Sequence, residues 1–358
     1  MPSYRAPGRA NLLGEHTDHT DGLVLPAAID RAVTLRAMPG GDRVRLRSAQ
    51  ADGEVDVAAD GSEPGEGWGR FVAAVAAELA EIGRAPVGLV GELSSDLPQG
   101  AGLSSSAALE VVLAMALADL AELQVAPLEL AALCRRAERR AVGVPSGIMD
   151  QAASILGRRD HAVLLDCGTL EHRLVPLPVD HSLLLLDSGV RRQLETAGYG
   201  RRTEELAAAL PVLSGRRPAD VDPSELTELL ANLDDVPSRR LRHVITENAR
   251  VRAVEAALAN GDLAEVGRLF AEGHASLRDD FEVSVPQLDA LVELSTDAGA
   301  TAARMTGGGF GGSIVVLAPT STAVALGDEV AERYRERFPG HEATVHVCDA
   351  ADGAARID

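Results

Sequence analysis

Residues 97–109 read LPQGAGLSSSAAL. Gly100 and Gly102 lead into three consecutive hydroxyls, Ser104, Ser105 and Ser106, and then into a long, mostly apolar helical pattern over about 105–123. Such a backbone can approach an anion closely and surround it with N–H groups at a helix start, where the dipole also favours negative charge. A plainer reading is a serine N-cap on a buried helix. Both can hold together, and the neighbouring segments favour the anion cradle.

Outward from this turn, strands and helices alternate. Upstream, 32–38 and 43–49 alternate like half-buried strands, a helix is expected over 68–82 and a strand over 87–95. Downstream come a helix over 127–141, strands at 162–167 and 182–188, and a mostly helical stretch from 201 to about 294 with a loop near 234–238. The chain closes with a strand at 301–307, a glycine loop, a strand at 313–318, a helix over 323–337 and a strand at 344–349. No repeat or low-complexity linker interrupts it. These patterns predict an α+β protein of two lobes meeting over a cleft, 1–175 and 176–358, with the boundary near residue 175.

Composition narrows the chemistry. With 358 residues the chain exceeds what one core usually holds, about 250–300 residues. Its 34 basic residues are all arginine, because the sequence contains no lysine. Schiff-base catalysis, a pyridoxal anchor and a Walker-type lysine loop are therefore excluded. A net charge of −20 makes nucleic acid and anionic membranes poor partners. The three cysteines, Cys134, Cys167 and Cys348, are widely spaced and odd in number, which suggests neither a disulfide framework nor a zinc site. The first residues carry charge and proline where a signal peptide needs an apolar run, and no uncharged apolar stretch reaches ~18 residues. A cytoplasmic protein, neither secreted nor inserted in a membrane, is the expectation.

Three further segments bear chemical groups. Residues 7–22, PGRANLLGEHTDHTDG, crowd Arg9, Glu15, His16, Asp18, His19 and Asp21 between glycines. A polar turn is one reading. The other is recognition of vicinal hydroxyls by Glu15 and Asp18, whose charge would repel an anionic substrate and so favour a neutral polyol over a hydroxy acid such as mevalonate or shikimate. Residues 134–151, CRRAERRAVGVPSGIMDQ, place Glu138 four residues beyond Cys134, on the same helix face. Glu138 is either a core-facing carboxylate or a surface one paired with Arg135 or Arg139. Asp150 follows an uncharged run and needs a partner. Residues 303–317, ARMTGGGFGGSIVVL, hold five glycines around Phe310, of which a tight hairpin explains two. The others imply close approach of backbone to backbone or ligand.

Taken in order, these segments resemble the galactokinases of the GHMP small-molecule kinase family. GRANLLGEHTD with GLVLPAAI matches that family's sugar signature, GAGLSSSA its phosphate loop, VGVPSGIMDQ its third motif and RMTGGGFGG its last. TENARV (246–251) and SLRDDFEVS (276–284) are also similar, so the resemblance runs from about residue 6 to about 350. It implies that Gly100, Ala101, Gly102, Leu103, Ser104, Ser105 and Ser106 cradle the ATP phosphates. Ser106 and Glu138 would ligate Mg²⁺. Asp150 would be the catalytic carboxylate for the sugar C1 hydroxyl, and Arg9 would stabilise the transferring phosphoryl group. Glu15, His16, Asp18, Gly147 and Tyr199 would hold the sugar, and Trp68, the single tryptophan, would lie near the adenine.

Phosphoryl transfer is largely positioning and charge neutralisation, which a lysine-free chain must draw from arginine, backbone N–H groups and metal. An arginine beside Asp150 would make it a weaker base, so that Asp150 orients the hydroxyl as much as it deprotonates it. Some positions depart from the family pattern. The tyrosine of HTDYNGG is absent after His19-Thr20-Asp21, Thr203 replaces the second arginine of Y-x-x-RR, and Ser146 and Ser313 stand where cysteine is common. Tyr199 is preferred to Gly198 at the tyrosine position because Leu194 then keeps its spacing. The resemblance implies ATP-dependent phosphorylation of galactose at C1 by a cytoplasmic monomer or weak homodimer. Alternatives are a related kinase for galactosamine, arabinose or a uronate, and a silent sugar and ATP sensor. Retention of Ser104, Ser105, Ser106 and Ala107 favours catalysis.

Overall fold

The computed structural model describes residues 1–98, 102–143, 146–190 and 195–357. Gly100, Ala101 and Leu194 lie outside the described residues.

In chain order the first part contains β1 (Ser3–Asn11), β2 (Leu23–Val24), β3 (Pro26–Pro39), β4 (Arg43–Ser48), β5 (Glu54–Ala58), α1 (Gly69–Glu81) and β6 (Leu89–Ser95). It continues with α2 (Ser105–Leu120), α3 (Pro127–Val142), α4 (Met149–Leu156), β7 (His161–Asp166) and β8 (His172–Pro176). The second part contains β9 (His181–Asp187), α5 (Glu195–Ala207), α6 (Leu226–Leu229), α7 (Asp235–Ala259), α8 (Leu263–Asp279) and α9 (Pro286–Asp297). Then follow β10 (Ala302–Thr306), β11 (Ser313–Pro319), α10 (Ala323–Arg337), β12 (Thr344–Cys348) and β13 (Ala355–Arg356).

A six-stranded sheet, ordered β13-β1-β3-β6-β4-β5, packs against α1, α2 and α4. Its pairs are antiparallel except β4 with β6. In β4, Val44 and Leu46 are buried while Arg45 is exposed, the alternation of a strand with one face in the core. Helix α2 has no such polar stripe. Apolar on nearly every side, it is buried as the central helix, between the sheet and α1, α3 and α4.

The second sheet is four-stranded and antiparallel, ordered β10-β11-β9-β12. Its central strands serve two cores. Leu183 and Leu185 of β9 join the core of the large sheet, whereas Leu184 and Leu186 join the cluster under α7, α9 and α10. Continuous apolar runs in β9 and β11 follow from that double burial. A small sheet, β2-β7-β8, completes the fold.

Three details correct the sequence reading. Residues 3–11 form a strand, not part of a polar turn, so Arg9 projects from the large sheet. The loop expected over 234–238 is helix from Asp235 onward, since Pro237 falls in the first turn, where its missing N–H has no intrahelical acceptor. The helix expected to 123 ends at Leu120.

Candidate active site

β1 and β3 are in register up to Pro7 and again from Arg9, with an irregularity between them. A bulge of this kind re-aims a side chain. Gly8, within it, lies so close to Leu103 that a Cβ would strike the Leu103 carbonyl. The strand and the serine turn are thus pressed together, and Arg9 N–H bonds the Leu103 carbonyl at 3.3 Å.

Arg9 then meets Asp150, the second residue of α4. Its Nε donates to Oδ1 at 2.8 Å, its Nη2 to Oδ2 at 3.0 Å, and its Nη1 to the Gly102 carbonyl at 2.7 Å. Ser154 of α4 anchors that helix to β1 by donating to the Pro7 carbonyl at 2.7 Å. Ser104 occupies the N-cap position of α2 with a left-handed backbone (φ 58°). Its hydroxyl makes no cap bond and donates instead to Asp150 Oδ2, which corrects the simple N-cap reading.

Glu138 of α3 accepts from Ser106 Oγ at 3.3 Å and from Gln151 Nε2 at 3.1 Å. Burial and the charge of Asp150 hold its carboxyl above the usual range. Among the described residues no arginine pairs with it; Arg139 turns to the Ser146 carbonyl. Gln151 also donates at 3.1 Å to Glu110, a buried carboxyl pushed up to about 9 by burial and then by Glu138.

On the sugar-signature side, 14–23 forms a compact loop. Thr17 Oγ1 donates to the carbonyls of Gly14 (2.8 Å) and Leu23 (2.7 Å), closing it. His16 has a left-handed backbone (φ 63°) and packs on Phe281 (4.5 Å between ring centroids) and Tyr199 (5.5 Å). Burial holds its imidazole well below the usual histidine value, hence neutral. Burial pushes the Tyr199 phenol above its ordinary range, so it remains an O–H donor. Asp18 abuts Gly147 so closely that any Cβ there would collide with its carboxylate. Glu15 is buried and pairs with Arg304 at 2.8 Å. Burial pushes its carboxyl up to about 7, Arg304 pulling down and Glu247 pushing up.

These groups share one cavity of about 550 Å³, a size suited to a small molecule. Arg9, Glu15, His16, Asp18, Glu138, Gly147, Asp150 and Tyr199 all line it, with Thr203 and the Gly307–Phe310 turn opposite. Gly102 and Ser104 reach it through Arg9 and Asp150; Leu103 is buried behind them and Ser105 faces solvent. Trp68 stands apart, at the N-cap of α1, partly buried against the main core.

Comparison with known proteins fits this arrangement. The GHMP kinases N terminal domain matches residues 70–158, the galactokinase galactose-binding signature 3–39 and the GHMP kinases C terminal domain 254–336. A galactokinase of Roseiflexus sp. (strain RS-1) is 42% identical over 99% of this chain and 92% of its own length. The chain belongs to the galactokinase family. The crystal structure of Lactococcus lactis galactokinase complexed with galactose superposes with a TM-score of 0.93 at 32% identity, covering 99% of this chain and 95% of that one. A mevalonate kinase of Methanococcus jannaschii, 16% identical and covering 98% of both chains, shares the fold with a TM-score of 0.69. As a galactokinase-family member the chain is an ATP-using kinase.

Sequence reasoning missed Gln151, Glu110, Glu247 and Arg304. Arg304 carried a signal: a lone arginine inside an apolar strand pattern requires a buried acid. No helix among the described residues is long and apolar enough to cross a membrane.

Proposed function

We propose that this chain transfers the γ-phosphoryl group of ATP to the C1 hydroxyl of D-galactose, giving galactose 1-phosphate and ADP. The observation that carries the reading is the Asp150 carboxylate, held by Arg9 and Ser104 on a cavity wall shared with Glu15, His16, Asp18, Gly147 and Tyr199.

A carboxylate has about four lone-pair sites. Arg9 and Ser104 occupy three at Asp150, which leaves one on Oδ1 for a single incoming hydroxyl. Asp150 orients that hydroxyl and accepts its proton as the sugar oxygen bonds to the γ-phosphorus and the bond to the bridging oxygen of ADP breaks. Arg9 retains N–H groups on both terminal nitrogens to face the transferring charge. The segment from Gly100 to Ser106, with the start of α2, receives the phosphates.

Ser106 and Glu138 suit Mg²⁺: two hard oxygen donors from separate helices lie 3.3 Å apart, and the Glu138 carboxylate sits where added positive charge would relieve its burial. Bound there, the ion would neutralise phosphate charge.

The sugar is neutral in this reading. Arg304 offsets the charge of Glu15, so repulsion of acids comes chiefly from Asp18. Trp68 is the adenine-side residue in this reading, and the lobes are 1–175 and 176–358, with 355–356 returning to pair with β1. A cytoplasmic setting accords with three free, buried cysteines. The test is ADP release across a panel of neutral, amino and acidic sugars. Galactose should be turned over first and uronates last; no ADP release with galactose would contradict the assignment.

A further inference from the structure

Glu15 is held from behind. Arg304 is fully buried on β10, and its terminal nitrogens face two acids: Nη2 lies 2.8 Å from Glu15 Oε2 and Nη1 lies 2.8 Å from Glu247 Oε1. Gly273 of α8 makes room for this guanidinium, since a Cβ there would sit 2.7 Å from Nη1. Glu247, on α7, is itself well supplied with donors. Its Oε1 accepts the Gly14 N–H at 2.9 Å and its Oε2 accepts Arg250 Nε at 2.8 Å.

The same stretch of α7 reaches the loop twice more. Asn248 Oδ1 accepts the Leu23 N–H at 2.7 Å, while its Nδ2 is fixed on the Val244 carbonyl at 2.7 Å. His243 Nε2 lies 3.2 Å from the Glu15 carbonyl oxygen. One helical segment therefore pins the 14–23 loop at both ends and at Glu15, and that loop carries His16 and Asp18.

Glu247, Asn248 and Arg304 are not among the described residues that line the cavity. Burying such a charged set costs desolvation that apolar side chains of equal volume avoid, so stability alone does not account for it. What the set supplies is position: the Glu15 carboxylate is held at Oε2 by Arg304 (2.8 Å) and at Oε1 by the Gly307 N–H (3.4 Å), on a loop pinned at both ends.

We propose that Glu247, acting through Arg304 and together with Asn248, is a positioning residue for sugar recognition, holding the Glu15 carboxylate and the 14–23 loop in the register that reads the sugar hydroxyls. This rests on the reading that Glu15 contacts the sugar.

The experiment is steady-state kinetics of the wild type, Glu15→Gln, Glu247→Gln and the double variant, with thermal melts to confirm folding. Glu247→Gln should raise KM for galactose roughly tenfold while kcat and KM for ATP stay within about twofold. In the Glu15→Gln background its further effect should shrink below about twofold, the non-additivity of groups acting as a unit. Independent, multiplying effects, or equal changes in KM for galactose and ATP, would overturn the proposal. A Glu15→Gln variant with unaltered KM for galactose would instead refute the underlying sugar contact. Should Glu247→Gln fail to fold, Asn248→Ala decides: a selective rise in KM for galactose supports the proposal, and an unchanged one overturns it.

Discussion

Arg9 grips Asp150 through two parallel bonds, Nε to Oδ1 at 2.8 Å and Nη2 to Oδ2 at 3.0 Å. The arginine comes from a bulged strand of the large sheet and the aspartate from the first turn of α4. Two rigid elements thereby hold the reacting carboxylate in a fixed plane, and a planar fork is the one side-chain geometry that can do so.

Replacing that fork with a point charge should be costly. Arg9→Lys keeps the charge yet cannot make both bonds while reaching the Gly102 carbonyl. A fall in kcat of ~10²-fold is expected, comparable to losing one transition-state donor, with KM for galactose changed by less than about threefold. Steady-state kinetics decide it, and a kcat within about threefold of wild type would show that charge alone suffices.

Gly147 is set by contact with Asp18, whose carboxylate occupies the space a Cβ would fill. Gly147→Ala must displace Asp18 from the cavity wall. KM for galactose should rise roughly tenfold, the effect of about one lost hydrogen bond to a charged group, while KM for ATP stays within about twofold.

Glu110 gives a pH signature. Its ordinary value of 4.5 is pushed up to about 9, by burial first and the neighbouring Glu138 charge second. Between those values the folded chain keeps a proton that the unfolded chain loses, so this group's contribution to stability is full below about 4.5 and declines as pH rises towards 9. Glu110→Gln is neutral at every pH and can still accept from Gln151. Denaturant unfolding without added metal should show the variant gaining on the wild type by at least ~1 kcal/mol between about pH 5 and pH 9. A pH-independent difference between the two would contradict the buried neutral acid.

The local part of this site is legible in the sequence because its chemistry is local. Glycines beside serines before an apolar run announce a tight turn at a helix start, and Asp150 after an uncharged run announces a paired carboxylate. The strands at 32–38, 43–48 and 89–95 and the helices at 69–81 and 105–120 follow from periodicity for the same reason, whereas β5, a short strand set among glycines and aspartates, and the first residues of β3 are not read from it. What stays hidden is non-local. Nothing in residues 7–22 indicates that Arg9 lies in a strand, because the bulge at Gly8 arises from packing against Leu103. The pairing of Glu15 with Arg304 and Glu247 joins three elements far apart in the chain, and only folding makes them neighbours. Ser104 reads as a cap, yet its hydroxyl goes to Asp150 because a stronger, charged acceptor lies within reach.

The central claim is that Asp150 handles the attacking hydroxyl and does not serve nucleotide binding. Asp150→Asn should bind ATP nearly as tightly as the wild type in direct titration and lose at least ~10²-fold in kcat with galactose, the low end for a general base. Near-normal turnover in that variant, or loss of ATP binding in proportion to the loss of rate, would contradict it.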